Sequence, residues 1–217
     1  MQATNDFSGG GPDLLQPAAG WAGPARPRLL PPDGADRGMV FRAVSAVSGF
    51  IGRRPVPDIF SVMHLNPRLF WAWLFFASRL MPFGRLPATL REKIILRTAW
   101  NCRSRYEWGQ HVVIARQVGV SDREILAVAR GAVACASVEE RALMQACDEM
   151  VEHKCIADTT WALLASRYGE PLLIEIMLLI GHYEMVAGFL NSSGIALEPP
   201  AEAVLQQFHQ NIASFLD

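Results

Sequence analysis

Three ionisable side chains, Glu92, Glu107 and His111, occupy positions at which a predicted helix is otherwise apolar. Glu107 and His111 lie one turn apart on one helix, and Glu92 lies on the helix before it. Because buried carboxylates are rare unless they are paired, two carboxylates and one imidazole aimed into apolar layers predict a shared polar site. Such groups could exchange protons with a bound substrate. The helical face of His111 also carries Ser104, Trp108, Ile114, Ala115 and Val118.

The same residues also have a purely structural interpretation. The i, i+4 spacing of Glu107 and His111 is typical of pairs on a helix surface, which contribute about 0.2–0.5 kcal/mol. A single histidine on an apolar face is commonly a core residue whose hydrogen bonds are satisfied. The convergence of Glu92 from a second helix favours a site over this alternative.

The elements that must position these residues are two helices, predicted over 88–101 and 104–118, which meet at a corner around Cys102. Apolar residues recur with helical period along most of the chain, and no useful run alternates with period two. The fold class is therefore predicted to be all-α. The other predicted helices span 37–50, 57–63, 67–81, 122–130, 138–153, 159–168, 170–191 and 199–215.

Two smaller patterns lie along these helices. Ser121 and Ser137, each followed three residues later by Glu, predict capping boxes at the starts of their helices. Tyr106-Glu107 and Tyr183-Glu184 form a weak internal repeat, since each pair belongs to an apolar helical run that ends near a glycine.

The 217 residues, 51% hydrophobic and 19% charged, suit one globular domain with a tail. Residues 1–37 are rich in Gly, Pro and Ala without an apolar period, so we expect them to be disordered. Residues 38–217 are expected to form a single all-helical domain. A net charge of −1 gives no indication of a nucleic-acid partner.

Two strongly apolar segments resemble membrane spans, but neither is interpreted as one. Residues 69–76 are too few to cross a bilayer, and residues 172–190 carry Glu175, His182 and Glu184. Both are interpreted as core or subunit-interface helices, which predicts a homo-oligomer and no membrane partner.

The cysteines form no CxxC pair and show no metal-like spacing with histidine. In the absence of a secretory signal, they are expected to be reduced thiols in a cytoplasmic protein. No metal site, phosphate-binding glycine loop or dinucleotide fingerprint is predicted, so no cofactor is expected. The four are Cys102, Cys135, Cys147 and Cys155.

The stretch LREKIILRTAWNCRSRYEWGQHVVIARQVGVSDREILAV resembles the core of the carboxymuconolactone decarboxylase family, which includes alkylhydroperoxidase D. The resemblance covers about 86–130 well and the later helices to 197 more loosely. It is carried by Glu92, by the YEWGQH run that ends at His111, and by the GVSDREI run that follows. It implies an alkylhydroperoxidase D-like helical bundle that assembles as a trimer or hexamer. The homo-oligomer expected for this chain is accordingly a dimer, trimer or hexamer.

The chain departs from the peroxidase branch of that family at two positions. That branch has a CxxC pair between the glutamate and the histidine, whereas Ser104 and Glu107 stand at the two cysteine positions here. Dithiol peroxidase turnover needs an attacking thiolate and a resolving thiol, and serine and glutamate provide neither. The resemblance to the decarboxylase branch implies a cofactor-free reaction on a small, lactone-like or enolisable carboxylate.

The first hypothesis is therefore a cofactor-independent lyase or isomerase. Glu107 and His111 would form its acid–base pair, and Glu92 would orient the histidine or share its proton. Ser104, Trp108 and Trp100 would line the substrate pocket, and Arg97 would hold a substrate carboxylate if it turned inward from the outer face that its wheel position indicates.

Two alternatives remain open. One is a non-catalytic helical oligomer that binds a small apolar ligand in the same cavity. The other is an alkylhydroperoxidase-type peroxidase, which the missing CxxC pair disfavours.

Overall fold

The structure is a computed structural model that describes residues 13–32 and 56–215. Within these two ranges the chain forms nine α-helices and two short 3-10 turns without a β-strand, so the all-α prediction is confirmed. The predicted helix over 37–50 lies outside the described residues. The α-helices are α1 (Asp58–Met63), α2 (Pro67–Leu80), α3 (Ala88–Asn101), α4 (Arg105–Gln117), α5 (Asp122–Arg130), α6 (Val138–His153), α7 (Asp158–Ala165), α8 (Glu170–Ser193) and α9 (Pro199–Ile212). The 3-10 turns are Ala132–Ala134 and Ala213–Phe215.

Helix α3 lies at the centre of the bundle. It contacts α4, α5, α6 and α8, and the side chains of Ile94, Ile95 and Leu96 are completely buried in these contacts. Burial of one such aliphatic side chain favours folding by about 1.5–3 kcal/mol. The central helix of the bundle is therefore the one that carries Glu92.

The two predicted capping boxes form to different extents. At the start of α5, Ser121 and Glu124 make both reciprocal contacts of a complete box. At the start of α6, the Ser137 side chain accepts a hydrogen bond from the Glu140 backbone N–H. The Glu140 carboxylate, however, accepts a hydrogen bond from Lys93 Nζ. The Glu140 carboxylate thus binds the buried Lys93, whereas the sequence pattern predicts that it accepts from the Ser137 backbone N–H.

Residues 13–32, called here the N-terminal segment, have no regular secondary structure but pack along the helices in a defined conformation. Trp21 Nε1 donates a hydrogen bond to Asp13 Oδ2 at 2.7 Å, and its ring centroid lies 5.6 Å from that of Trp100. The predicted disorder of residues 1–37 must therefore be corrected for this segment, and the rest of that stretch lies outside the described residues. Contacts made by a few anchoring side chains offset the entropy lost when the segment becomes ordered. A prediction from average composition does not take such individual contacts into account.

Charged and backbone contacts fasten the N-terminal segment at both ends. Arg105 binds Asp13 through Nε at 2.7 Å and Nη2 at 2.9 Å, and the same guanidinium binds Glu202 through two 2.8 Å contacts. The backbone N–H of Arg28 donates to the carbonyl oxygen of Ser193 at 2.7 Å. The segment is therefore attached directly to α4 and to the end of α8, and it is linked to α9 through the shared Arg105 guanidinium.

Helix α8 is long and apolar enough to cross a membrane by length and composition, and it is the one such helix among the described residues. Ten of its residues are buried, and it contacts α2, α3, α4, α6 and α7. That inner face agrees with the predicted core helix. Its other face exposes Ile174, Leu178 and Met185, each by about half of its surface.

Candidate active site

The centre of the candidate site is a hydrogen bond between His111 on α4 and Glu92 on α3. His111 Nδ1 lies 2.7 Å from Glu92 Oε2. Glu92 is fully buried and His111 is 7% exposed, so the pair lies in the apolar interior. The expectation that the imidazole lies within hydrogen-bond reach of a carboxylate is confirmed. The helical wheel placed both residues on inward faces of neighbouring helices, and the packing of α3 on α4 brings those faces together.

A guanidinium also contacts the same carboxylate. Arg91 Nε lies 3.4 Å from Glu92 Oε1, and Arg91 Nη1 donates to the carbonyl oxygen of Pro82 at 3.3 Å. The wheel puts Arg91 outside the apolar stripe, yet the residue is 6% exposed. A long aliphatic stem can cover apolar surface while the charged head reaches a buried partner. Sequence reasoning misses this contact because it is made by an immediate chain neighbour of Glu92.

Glu107 does not hydrogen-bond to His111, so the two members of the predicted acid–base pair are not direct partners in the structure. Although the two residues are one turn apart, the imidazole Nδ1 faces Glu92. Glu107 is 2% exposed, and neither of its oxygens has a hydrogen-bond partner among the described residues. Burial raises the pKa of Glu107 well above its usual value of 4.5, because removal from water penalises the charged form. Glu107 is thus poised as a neutral carboxylic acid.

Ser104 adds a second unsatisfied polar group to the same helix. It is the N-cap residue of α4 and is completely buried, and its hydroxyl has no hydrogen-bond partner within the described part of the chain. Its backbone is satisfied, since its N–H donates to Ala99 and its carbonyl accepts from Trp108. Buried polar atoms without partners are uncommon in native proteins, so the hydroxyl and the Glu107 carboxyl group mark the place where a bound molecule could supply partners.

Trp100 and Trp108 belong to an aromatic cluster beneath the N-terminal segment. Their ring centroids are 5.0 Å apart, and the Trp21 ring lies 5.6 Å from the first and 6.2 Å from the second. Phe208 of α9 completes the cluster at 6.4 Å from Trp108. These contacts place the two indoles in the core between α3, α4 and α9. Their predicted role as pocket walls stays a prediction.

Arg97 has a structural role that replaces its predicted role in substrate binding. Its Nε lies 2.5 Å from Asp148 Oδ1, and its Nη1 donates to the carbonyl oxygens of Val128 and Ala129 at 3.0 and 2.9 Å. The last two acceptors lie in the final turn of α5, where helix carbonyls lack partners within the helix. The guanidinium therefore satisfies the end of α5 and pairs with α6, and it is not free to hold a substrate carboxylate.

Helix α8 supplies a site residue that sequence reasoning missed, Tyr183. The Tyr183 ring stands edge-on to the His111 ring, with centroids 5.0 Å apart and an interplanar angle of 90°. The preceding His182 is stacked on Trp73 at 5.9 Å, and burial lowers its pKa to about 4, so its imidazole is neutral. The weak repeat of the two Tyr-Glu pairs was a signal toward this position, although the pattern could not place Tyr183 against His111.

Within the described ranges, no group of three or more His, Cys, Asp or Glu side chains is placed to hold a metal ion. The polar groups at the candidate site are two carboxyl groups, an imidazole, a guanidinium, a serine hydroxyl and a phenol.

Comparisons with known proteins agree with this fold. Residues 67–149 match the model of the carboxymuconolactone decarboxylase family. No curated protein sequence matches the chain. An alkylhydroperoxidase D core protein from Ralstonia eutropha JMP134, a peroxidase-related protein, superposes with a TM-score of 0.72 at 17% identity, over 81% of this chain and 94% of its own.

Two further solved structures are similar. A peroxidase-related protein from Silicibacter sp. TM1040 gives a TM-score of 0.72 at 15% identity, over 81% of this chain and 93% of its own. The debrominase Bmp8, as a cysteine-to-alanine variant in complex with 2,3,4-tribromopyrrole, gives 0.70 at 17% identity, over 83% and 96%. At such identities the likeness shows the fold. The resemblance found in the sequence is thereby confirmed: residues 67–149 match the carboxymuconolactone decarboxylase family, and the helical bundle is alkylhydroperoxidase D-like.

Proposed function

We propose that this protein is an enzyme that releases CO₂ or shifts a proton by acid–base chemistry, without a cofactor. Its substrate would be a small lactone-like or enolisable carboxylate. The observation that carries the proposal is the buried contact of 2.7 Å between His111 Nδ1 and Glu92 Oε2. One helical turn away lies Glu107, a second carboxyl group, which has no partner among the described residues. Two carboxyl groups in different environments can take different roles in one reaction.

His111 is suited to act as the base. Glu92 accepts the hydrogen on Nδ1, so the lone pair of the neutral ring lies on Nε2, on the opposite side. A carboxylate behind the ring also stabilises the imidazolium that forms when Nε2 takes a proton. Glu92 is therefore the orienting carboxylate in the proposal, supported from its other oxygen by Arg91.

Glu107 is suited to act as the acid. Its raised pKa favours the protonated carboxyl group, which is the form that can donate. In a decarboxylation, the C–C bond breaks, CO₂ leaves, and the electron pair becomes an enolate. Glu107 then protonates the enolate carbon and recovers its proton from water. In an isomerisation, His111 Nε2 removes a proton from one carbon and Glu107 delivers one to another.

The test uses carboxymuconolactone and a panel of enolisable β-keto and unsaturated carboxylic acids. CO₂ release is measured directly, and proton exchange is followed as deuterium uptake in D₂O by NMR. His111→Ala is expected to lower turnover by about 10² to 10⁴, the scale of one general acid or base. Glu92→Gln should lower it as well, because a neutral amide holds the imidazolium less strongly. Turnover by both variants at the wild-type rate would contradict the assignment.

A non-catalytic ligand-binding oligomer is the second candidate. It is supported by the exposed apolar residues Ile174, Leu178 and Met185 on α8, which offer a face to another copy of the chain. We propose that the protein is a homo-oligomer in either case. A wild-type protein that binds panel members without turning any over would favour this candidate. A stable monomer of 24.0 kDa in sedimentation at micromolar concentration would count against the assembly.

The peroxidase alternative is less well supported. Burial, with the nearby carboxyl groups of Glu107 and Glu184, raises the pKa of Cys102 to about 12. A thiol with such a pKa is almost entirely protonated at neutral pH, whereas the thiolate is the nucleophile in peroxide reduction. Peroxide consumption with a dithiol donor, lost on Cys102→Ser, would revive this alternative.

A further inference from the structure

The hydroxyl group of Tyr183 lies at the candidate site and has an unusual partner. The residue is 8% exposed, and its ring stands edge-on to His111 from a third helix, α8. Its Oη donates a hydrogen bond to the thioether sulfur of Met81, with Oη and Sδ 3.1 Å apart. A thioether is a weak hydrogen-bond acceptor. The Tyr183 hydroxyl, a strong donor, is therefore hydrogen-bonded to a weak acceptor that an oxygen atom could readily displace.

The other two tyrosines of the chain show what a buried phenol does when its role is structural. Tyr106 Oη donates to Glu198 Oε1 at 2.6 Å and accepts from the Ile59 N–H at 3.3 Å. Tyr168 Oη donates to Glu139 Oε1 at 2.6 Å. Since the chain has three tyrosines, the phenol beside His111 is the one whose donor goes to sulfur.

The surroundings also keep this phenol in its donor form. Burial, together with the nearby carboxyl groups of Glu92 and Glu107, raises the pKa of Tyr183 well above its usual value. The hydroxyl therefore keeps its hydrogen throughout the neutral range. Tyr183 can donate a hydrogen bond there, but it does not act as a base.

We propose that Tyr183 is a further catalytic residue, which exchanges the thioether of Met81 for the substrate oxygen that becomes negatively charged. The proposal rests on the proposed function, in which loss of CO₂ or of a proton leaves an enolate. The electron pair of the broken C–C or C–H bond moves onto the enolate oxygen, and the phenol O–H donates to that oxygen without giving up its proton. Glu107 or the His111 imidazolium then protonates carbon, and the Tyr183 hydroxyl returns to sulfur.

The arrangement divides the work between helices. His111 of α4 handles the proton, and the phenol of α8 meets the charge that develops on oxygen. A donor fixed in a buried site is effective because it needs no reorganisation when the charge appears. Removal of one such donor in other enzymes typically costs about 10² to 10³ in kcat.

Binding of 4-nitrophenol by the full-length protein tests the proposal without a known substrate. Its phenolate resembles an enolate, and its absorbance distinguishes the neutral from the ionised form. Tyr183→Phe removes the donor and keeps the ring, so it is expected to weaken phenolate binding about tenfold or more, the scale of one hydrogen bond to a charged oxygen. Tyr106→Phe is the matched control, which should leave the affinity within about twofold and lower the thermal stability instead.

Met81→Leu is the second variant, and it does not depend on how well Tyr183→Phe folds. It removes the competing acceptor, so phenolate affinity should rise. Equal affinity of wild type and Tyr183→Phe, weaker binding by Met81→Leu, or no binding of 4-nitrophenol by the wild type would each overturn the proposal. The wild type could also bind 4-nitrophenol through Tyr183 and yet turn over no panel substrate. That result would support Tyr183 as a hydrogen-bond donor and contradict only the proposed function.

Discussion

Replacement of Glu107 by glutamine removes the proposed acid. It should also stabilise the protein relative to the wild type by an amount that grows as the pH rises. The carboxyl group is buried without partners among the described residues, and burial raises its pKa well above 4.5. In the unfolded chain the same group ionises near its usual value. Between these two pKa values the folded protein holds a proton that the unfolded chain releases, so the wild type loses stability as the pH rises.

The magnitude follows from this proton difference. Below pH 4.5 both states are protonated, and Glu107 adds no pH dependence. Above that pH the free energy of unfolding of the wild type falls by about 1.4 kcal/mol per pH unit from this group, until the folded-state pKa is reached. Glutamine does not titrate. The difference in free energy of unfolding between Glu107→Gln and wild type should therefore rise by the same amount per unit.

The assay is urea unfolding of both proteins, followed by tryptophan fluorescence at several values between pH 5 and 8. Other titrating groups contribute equally to the two proteins, so their effects cancel in the difference. A buried glutamine amide without partners also costs free energy, about 1–3 kcal/mol, but this cost does not vary with pH. The slope, rather than the absolute difference, is the quantity that tests the protonation state.

Glu149→Gln is the matched control. Glu149 is similarly buried, but its carboxylate accepts hydrogen bonds from Gln145 at 3.1 Å, from the Ala157 N–H at 2.8 Å and from the Thr160 hydroxyl at 2.8 Å. Loss of a carboxylate acceptor there should destabilise the protein by about 1–3 kcal/mol at pH 7. A pH-independent difference for Glu107→Gln would show that Glu107 titrates alike in both states, and Glu107 would lose its role as a neutral acid.

The N-terminal segment and two glycines give contrasting stability tests. Trp21→Ala is expected to lower the free energy of unfolding by about 2–3 kcal/mol, somewhat below the value for a fully buried indole, and an unchanged urea midpoint would refute the packing of the segment. Gly84→Ala should be destabilising by about 1–3 kcal/mol, because its Cβ would lie 2.4 Å from the Leu80 carbonyl oxygen and 2.7 Å from Glu175 Oε1. Gly181→Ala meets open space within α8 and should stabilise the protein by up to about 1 kcal/mol. A higher thermal midpoint for Gly84→Ala, or a lower one for Gly181→Ala, would contradict the corresponding expectation.

Local pattern was sufficient to predict the helices and part of the site. The helix predicted over 88–101 is observed as Ala88–Asn101, because apolar period and flanking breakers act locally. The pairing of Glu92 with His111 followed from two inward faces on helices that a short corner forces together. The choice between Glu92 and Glu107 could not be made this way, because a wheel gives the face of a residue and not the direction of its ring nitrogen.

Contacts between distant parts of the chain explain the errors. Arg97 reaches Asp148 on a helix three elements later, and its wheel position alone indicated an outward side chain. Tyr183 meets His111 across more than seventy residues of sequence, so no spacing could reveal the contact. Residues 13–32 are ordered through contacts of individual residues such as Asp13 and Trp21. An average over composition hides the effect of such contacts.

The attachment of the N-terminal segment sets an order for biosynthesis. The segment leaves the ribosome first, yet Ser193, whose carbonyl accepts from its backbone, and Glu202, which shares the Arg105 guanidinium with Asp13, belong to nearly the last parts of the chain to be made. At about 5–20 residues per second, Asp13 waits on the order of 10 to 40 s before Glu202 is synthesised. During that interval the segment lacks the contacts at the end of α8 and near α9 that help to hold the Trp21 ring against Trp100 and Trp108 in the finished protein. Chaperones that bind exposed aromatic side chains can act during this interval, which ends when the segment docks.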